Sequence, residues 1–132
     1  MRKINKIIVH CTATPLTTSV QSIRNYHFSL GYKDIGYHYI IDAYGFVHKC
    51  RSRFEVGAHC RGHNRDSIGV ALIGGQNGIF DFTKDQINSL ISLVTYLKDI
   101  YPDIKIFGHN DFTKNKTCPN FNVKNFFNYE VK

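Results

Sequence analysis

Short apolar runs alternate with longer stretches of helical periodicity along this chain of 132 residues. An apolar run between turn signals is typical of a buried strand, whereas apolar residues three and four positions apart indicate a helix with one buried face. Their alternation predicts an α/β fold, in which one central mixed sheet is covered by helices. Strands are expected at 5–10, 37–42, 46–50, 68–73 and 104–107, and helices near 18–31, 83–101 and 123–129.

Two of the predicted helices begin with a recognisable capping signal. Thr18 with Gln21, and Thr83 with Gln86, have the spacing of a capping box. In that motif the side chains of the first and fourth residues each accept a hydrogen bond from the other's backbone N–H. We therefore expect Thr18 and Thr83 to be the N-cap residues of these two helices.

The composition is that of one folded domain. With 42% hydrophobic and 20% charged residues, the chain can bury a core without disulfide bonds. No repeat or linker is visible, so residues 1–132 are expected to form a single domain. No apolar stretch approaches the roughly 18 residues of a membrane span. The apolar run Ile7–Val9 is too short for a signal peptide, which predicts synthesis in the cytoplasm and another route out.

The chain carries a formal net charge of +7. Such a charge favours association with a polyanion, such as nucleic acid, an anionic membrane or a cell-wall polymer. The Lys and Arg residues are scattered, with no block of five or more, which argues against nucleic acid as the primary ligand. At this size we expect a monomer.

Two histidines stand at the ends of apolar runs that predict buried strands. His10 follows Ile7–Val9, His109 follows 104–107, and Cys118 comes after eight further residues. Two imidazoles and one thiolate form a donor set that suits zinc, and three protein ligands leave a fourth position open for water. An open zinc site is usually catalytic, so these residues predict a hydrolase.

The other cysteines allow two alternatives. If Cys118 is a ligand, three cysteines remain and cannot all pair, but a disulfide between Cys50 and Cys60 stays open after export. A rival zinc site could use Cys50, His59, Cys60 and His63, although these residues lack paired Cys-x-x-Cys spacing.

Seven short segments, in this order, carry a resemblance to a known family. They are Val-His-Cys-Thr-Ala-Thr (9–14), Ile-Gly-Tyr-His-Tyr-Ile-Ile (35–41), Val-Gly-Ala-His (56–59), Asn64, Ser-Ile-Gly-Val (67–70), Gly-His (108–109) and Lys-Thr-Cys-Pro (116–119). From Ile7 to about Phe126, the chain resembles the zinc-dependent N-acetylmuramoyl-L-alanine amidases of the bacteriophage lysozyme type. That family is related to the peptidoglycan recognition proteins.

The resemblance implies a role for five positions. The family's zinc ligands fall on His10, His109 and Cys118, and its two further active-site residues fall on Tyr37 and Lys116. The implied reaction is hydrolysis of the amide between N-acetylmuramic acid and L-alanine in peptidoglycan, with one zinc ion as cofactor. Lys116 and Tyr37 would then stabilise the charge that develops on the carbonyl oxygen, or Tyr37 would instead orient the water or assist its proton transfer.

The remaining histidines need separate interpretations. His59 and Asn64 match a loop that lines the family's substrate cleft, so they are candidates for binding the peptide or the sugar. His27 lies on the apolar face of a predicted helix, which indicates a core position. His38 is next to Tyr37, so strand alternation directs it away from the metal.

The leading functional hypothesis is a phage or prophage endolysin that reaches the cell wall, in the periplasm, after release from the cytoplasm. A wall-recycling amidase or an antibacterial effector would use the same chemistry. The alternatives from other classes are a non-catalytic peptidoglycan-binding module and a basic regulatory protein. The presence of Cys118 favours the enzyme over the binding module, because recognition-only relatives commonly lose that ligand.

Overall fold

The computed structural model describes residues 2–130, which form five strands, three α-helices and two single-turn 3-10 helices (Gln76–Gly78 and His109–Asp111). The longest helix has 17 residues, and in this part of the chain none is long and apolar enough to cross a membrane. The elements, in chain order, are β1 (Lys6–Cys11), α1 (Val20–Ser29), β2 (Tyr39–Ile41), β3 (Val47–Lys49), β4 (Ser67–Leu72), α2 (Lys84–Ile100), β5 (Lys105–Gly108) and α3 (Val123–Glu130).

All five strands belong to one mixed sheet with the order β3-β2-β4-β1-β5. β1 pairs in parallel with β4 on one side and with β5 on the other, and β2 is also parallel to β4. Only β3 runs antiparallel to its neighbour, because a short turn joins it to β2 as a hairpin. The predicted α/β class and the central mixed sheet are confirmed.

The sheet is covered on both faces. Val70 and Leu72 of β4 pack in one cluster with apolar residues of α2 and α3, whereas Ala71 packs in a second cluster with Ile23 of α1. Successive side chains of a strand point to opposite faces, so β4 is buried on both sides. This double burial explains why the strand carries no polar side chain after Ser67.

The start of α2 agrees with the prediction and the start of α1 does not. Thr83 Oγ1 accepts from Gln86 N at 3.0 Å, and Gln86 Oε1 accepts from Thr83 N at 2.9 Å. At α1 the N-cap is Ser19, whose hydroxyl accepts from Ser22 N at 3.1 Å. Thr18 was predicted for this place, but its N–H donates to Pro15 O in the preceding turn.

Candidate metal centre and active site

The two predicted histidine ligands meet at the carboxyl ends of two parallel strands. Val9 of β1 is paired with Gly108 of β5, so the residues that follow, His10 and His109, lie side by side. The Nδ1 atoms of the two rings are 3.2 Å apart. In sheets of this kind, the carboxyl ends of parallel strands are where ligands usually bind.

Main-chain and amide contacts bring Cys118 to the same place. Asn110, next to His109, donates from its backbone N–H to Cys118 O at 2.8 Å and from Nδ2 to Thr117 O at 3.1 Å. The N–H of Cys11 donates to Cys118 Sγ at 2.9 Å. The sulfur is therefore held against the last residue of β1, beside His10.

These three side chains form a donor set that fits one metal ion. Their ligand atoms all lie within 4.8 Å of one another, and within residues 2–130 this is the one group of three or more His, Cys or acidic residues placed to hold a cation. A 3.2 Å separation is one that two nitrogen ligands of the same zinc ion, each at about 2.0–2.1 Å, can adopt. The rival group of Cys50, His59, Cys60 and His63 does not assemble.

The protonation of the ligands suits metal binding. Burial lowers the pKa of His10 well below its ordinary value, and burial together with nearby Lys116 lowers the pKa of His109. Both rings are thus neutral at physiological pH and can offer a lone pair. The side-chain thiol of Cys11, together with burial, raises the pKa of the Cys118 thiol. A metal must therefore displace that proton when it binds.

Tyr37 lies beside the metal ligands. Its ring centroid is 5.2 Å from that of His10 and 5.5 Å from that of His27, a buried residue of α1. Burial of the hydroxyl raises the pKa of Tyr37, so the phenol keeps its proton. The side chain can therefore donate a hydrogen bond beside the metal ligands.

Two adjoining cavities open over this centre. One extends past Cys11 and Thr12 toward the Gly75–Gly78 turn, and the other extends past Tyr32 and Arg61. The side chains that line both cavities are Tyr37, His59, His109 and Lys116. Lys116 is an exposed residue of the loop before Cys118, which gives its ammonium group access to both cavities.

The two predicted substrate-binding residues line the second cavity and also make internal contacts. His59 Nδ1 is 2.8 Å from His10 Nε2, and burial is the main reason that the pKa of His59 is lowered to about 3. Asn64 Oδ1 accepts from the backbone N–H groups of His59 and Cys60, each at 2.9 Å. Contact of either residue with substrate stays a prediction.

The other histidines and cysteines have no place among the ligands. His38 is fully buried, accepts from Gly69 N at 3.0 Å, and lies outside the metal-binding group, as strand alternation predicted. His27 accepts from Gly36 N at 2.9 Å, which confirms its core position. Cys50 and Cys60 both carry free thiols.

Two contacts at the centre were not foreseen from the sequence. One is the bond from Cys11 N to the Cys118 sulfur. The other involves Ser67, whose hydroxyl oxygen is 3.2 Å from His59 Nε2. Ser67 stands within the matching Ser-Ile-Gly-Val segment, but that pattern alone gives no indication of which ring it would reach.

Comparisons with known proteins agree with this geometry. The family model for N-acetylmuramoyl-L-alanine amidase matches residues 1–121. The endolysin of Enterobacteria phage T3 is 40% identical over 127 residues, which cover 92% of this chain and 83% of that protein. The chain therefore has a close relative among phage endolysins.

Solved structures show the same fold. The N-acetylmuramoyl-L-alanine amidase LysC from Clostridium intestinale superposes with a TM-score of 0.83 at 31% identity, covering 92% of this chain and 79% of that one. The bumblebee recognition protein PGRP-SA gives a TM-score of 0.84 at 25% identity, covering 99% and 84%. The chain belongs to the N-acetylmuramoyl-L-alanine amidase family, and it is related to the peptidoglycan recognition proteins.

Proposed function

We propose that this protein is a zinc-dependent hydrolase that cleaves the amide bond between N-acetylmuramic acid and L-alanine in bacterial peptidoglycan. We further propose that it serves a phage or prophage as an endolysin. The observation that carries the proposal is the convergence of His10, His109 and Cys118 at one end of the sheet. Membership of the amidase family and the similarity to phage endolysins supply the reaction and the biological setting.

His10, His109 and Cys118 would hold the ion, and their number leaves a tetrahedral position open to solvent. When bound there, a zinc ion supplies a water molecule with a pKa lowered to about 7 and polarises the scissile carbonyl. The choice of zinc is supported by the donor chemistry, since a thiolate with two imidazoles favours it over magnesium or calcium.

Tyr37 and Lys116 would stabilise the negative charge that develops on the carbonyl oxygen. Tyr37 offers a phenolic hydrogen, because its raised pKa keeps the hydroxyl protonated. Lys116 offers an ammonium group from the edge that both cavities share. Donors of this kind act only when charge appears, so they accelerate the chemical step rather than tighten substrate binding.

The paired cavities suit a substrate with different groups on the two sides of the bond that breaks. A muramoyl group and a stem peptide could each occupy one cavity while the amide lies over the shared residues. His59 and Asn64 border the second cavity and are proposed to contact one of these halves. The net charge of +7 would help a monomer remain on an anionic envelope after release to the wall.

A non-catalytic peptidoglycan-binding module is the second candidate, since the fold is shared with recognition proteins. The thiol of Cys118 argues against it, because binding alone needs no third metal ligand. A wall-recycling amidase or a delivered antibacterial effector would have the same active site and differ in where the protein is used.

The decisive experiment incubates the protein with purified muropeptides, with and without a zinc chelator, and analyses the products by mass spectrometry. We expect free stem peptide and intact sugar from the untreated protein, and neither after chelation until zinc is restored. Binding of muropeptides without any cleavage in the zinc-loaded protein would instead support the recognition module.

A further inference from the structure

The two ring nitrogens of His10 have different neighbours. Nδ1 is 3.2 Å from the Nδ1 atom of His109, which belongs to the same three-residue donor group. Nε2 is 2.8 Å from Nδ1 of His59. A neutral imidazole carries one proton, and only the nitrogen without it can bind a metal. The value of His10 as a ligand therefore depends on which nitrogen is protonated.

A series of hydrogen bonds that starts at Ser67 determines which nitrogen of His10 carries the proton. Ser67 Oγ is 2.6 Å from the carbonyl oxygen of His63, which can only accept, so the hydroxyl hydrogen is used there. Ser67 Oγ must then be the acceptor in its 3.2 Å contact with His59 Nε2. The single proton of the buried, neutral His59 ring is thus on Nε2, and its Nδ1 carries a free lone pair.

The same logic continues to the metal ligand. His59 Nδ1 has no proton to give, so His10 Nε2 must donate across the 2.8 Å contact. The proton of His10 is then on Nε2, and Nδ1 presents its lone pair on the side of His109. In this way a serine that touches none of the ligands sets the tautomer of one of them.

The His59 ring is held firmly enough for this role. Asn64 Oδ1 fixes the backbone on both sides of the ring by accepting from the N–H groups of His59 and Cys60. The ring lies directly over Gly69, where an added Cβ would be 2.6 Å from His59 Cγ. No larger residue fits at position 69 without displacing the ring.

We propose that His59 and Ser67 are positioning residues that hold His10 in the tautomer with a free Nδ1, and so prepare the metal centre before the ion arrives. The proposal deepens the proposed function, since it rests on His10 being a zinc ligand. Partners of ligating histidines are typically worth about 10- to 100-fold in metal affinity.

The first test compares zinc affinity by competition with a chelator in two matched variants. His59→Leu retains a branched side chain but removes the acceptor, and we expect zinc affinity to fall by about 10- to 100-fold. His59→Asn puts a carbonyl oxygen close to the position of Nδ1, and we expect affinity within about threefold of the unchanged protein. Equal affinity in the wild type and the Leu variant would overturn the proposal, as would an Asn variant as weak as the Leu variant.

The second test reads the tautomer directly in the metal-free protein. Heteronuclear NMR that correlates ring nitrogens with ring protons distinguishes a protonated from an unprotonated nitrogen, and His10→Gln identifies the His10 signals. We expect His10 protonated at Nε2 in the wild type, and a mixture of tautomers in Ser67→Ala. A proton on Nδ1 in the wild type would contradict the proposal even if zinc binds. Failure of the wild type to bind zinc would remove the proposed function and leave the NMR result to decide the tautomer.

Discussion

The backbone N–H of Cys11 donates to the sulfur of Cys118 at 2.9 Å, although 107 positions separate the two residues in the chain. The last residue of β1 thus fixes the thiol next to the imidazole of His10. A hydrogen bond from a backbone amide favours the thiolate form that a metal requires. The metal centre is therefore supported by the same strand that supplies its first ligand.

We expect Cys118→Ser to abolish activity by weakening zinc binding. A hydroxyl does not ionise as a thiol does, so metal affinity should fall by at least about 100-fold, more than for loss of a hydrogen-bonding partner. Metal content after dialysis against a chelator and the rate of wall lysis provide the measurements.

Cys50→Ser is the matched control, because Cys50 is a half-buried thiol that directly follows the edge strand β3 and lies outside the donor group. It should retain zinc and activity. Full lysis by the Cys118 variant would refute the assignment of that residue as a ligand.

Tyr37→Phe should retain zinc and lose turnover. The substitution removes one hydroxyl beside the His10 ring, and loss of one donor to a developing oxyanion costs about 100- to 1000-fold in kcat. Tyr39→Phe makes the same chemical change at a buried residue in the core cluster against α2, and it should leave kcat unchanged. A wild-type turnover number in Tyr37→Phe would exclude this hydroxyl from the mechanism.

Lys116→Ala should lower kcat by about 100-fold with a smaller change in KM. Its ammonium group is expected to act on charge that appears during the reaction, rather than on the bound substrate. Lys114→Ala removes an equally exposed charge that lines neither cavity, and so controls for general electrostatic attraction to the wall. If both variants lose activity to the same extent, the specific role of Lys116 is wrong.

The stability of the metal-free protein should fall as the pH decreases, and His38 should be one cause. Burial lowers the pKa of His38 from 6.5 to about 4. Between these values the unfolded chain binds a proton that the folded protein does not, so the free energy of unfolding decreases as the pH falls from 6.5 toward 4. The loss from this residue is about 3 kcal/mol, and it is complete below the lower value.

Denaturant unfolding of wild type and His38→Asn at pH 7 and pH 4 measures this contribution. Asparagine can still accept from Gly69 N but does not titrate. We expect the variant to lose about 3 kcal/mol less than the wild type over that interval. An equal loss of unfolding free energy in the two proteins between pH 7 and pH 4 would show that His38 does not cause the pH dependence.

Gln86→Ala should destabilise the fold strongly. The fully buried amide of Gln86 donates to Ile41 O at 3.1 Å and to Ile73 O at 2.9 Å, and also accepts from Thr83 N. Removing it leaves Ile73 O and Thr83 N without these partners, while Ile41 O keeps only the bond from Ile73 N, and we expect this to cost about 3–5 kcal/mol. Gln21→Ala, at an exposed position of α1, should cost less than about 0.5 kcal/mol. A similar loss of unfolding free energy in the two variants would show that the hydrogen bonds of Gln86 do not stabilise the fold.

The positions of His10 and His109 follow from the sequence because each residue ends a short apolar run. Once both runs are strands of one parallel sheet, their carboxyl ends meet at the same edge. The long α2 helix was also predictable, since Thr83 and Gln86 form a capping box through contacts within four residues. Local patterns of this kind identify elements and their ends.

The remaining features depend on contacts between distant segments. Nothing near Gln86 indicates that its amide bridges Ile41 and Ile73, and nothing near Ser67 indicates that it reaches His59. Even the start of α1 was misplaced by one residue, because Ser19 and Thr18 are both good N-caps and the turn from Pro15 decides between them. Packing between distant segments selects among alternative caps and hydrogen-bond partners, and a single sequence does not show that packing.

The order of strands in the sheet has a consequence for synthesis on the ribosome. β1 is made first, yet it lies between β4 and β5 and cannot complete either pairing until much later segments have emerged. Parallel pairing between remote strands is slow to form. A nascent chain therefore carries an exposed His10 without its partners, and acquires a finished cation pocket only once residue 118 has left the exit tunnel.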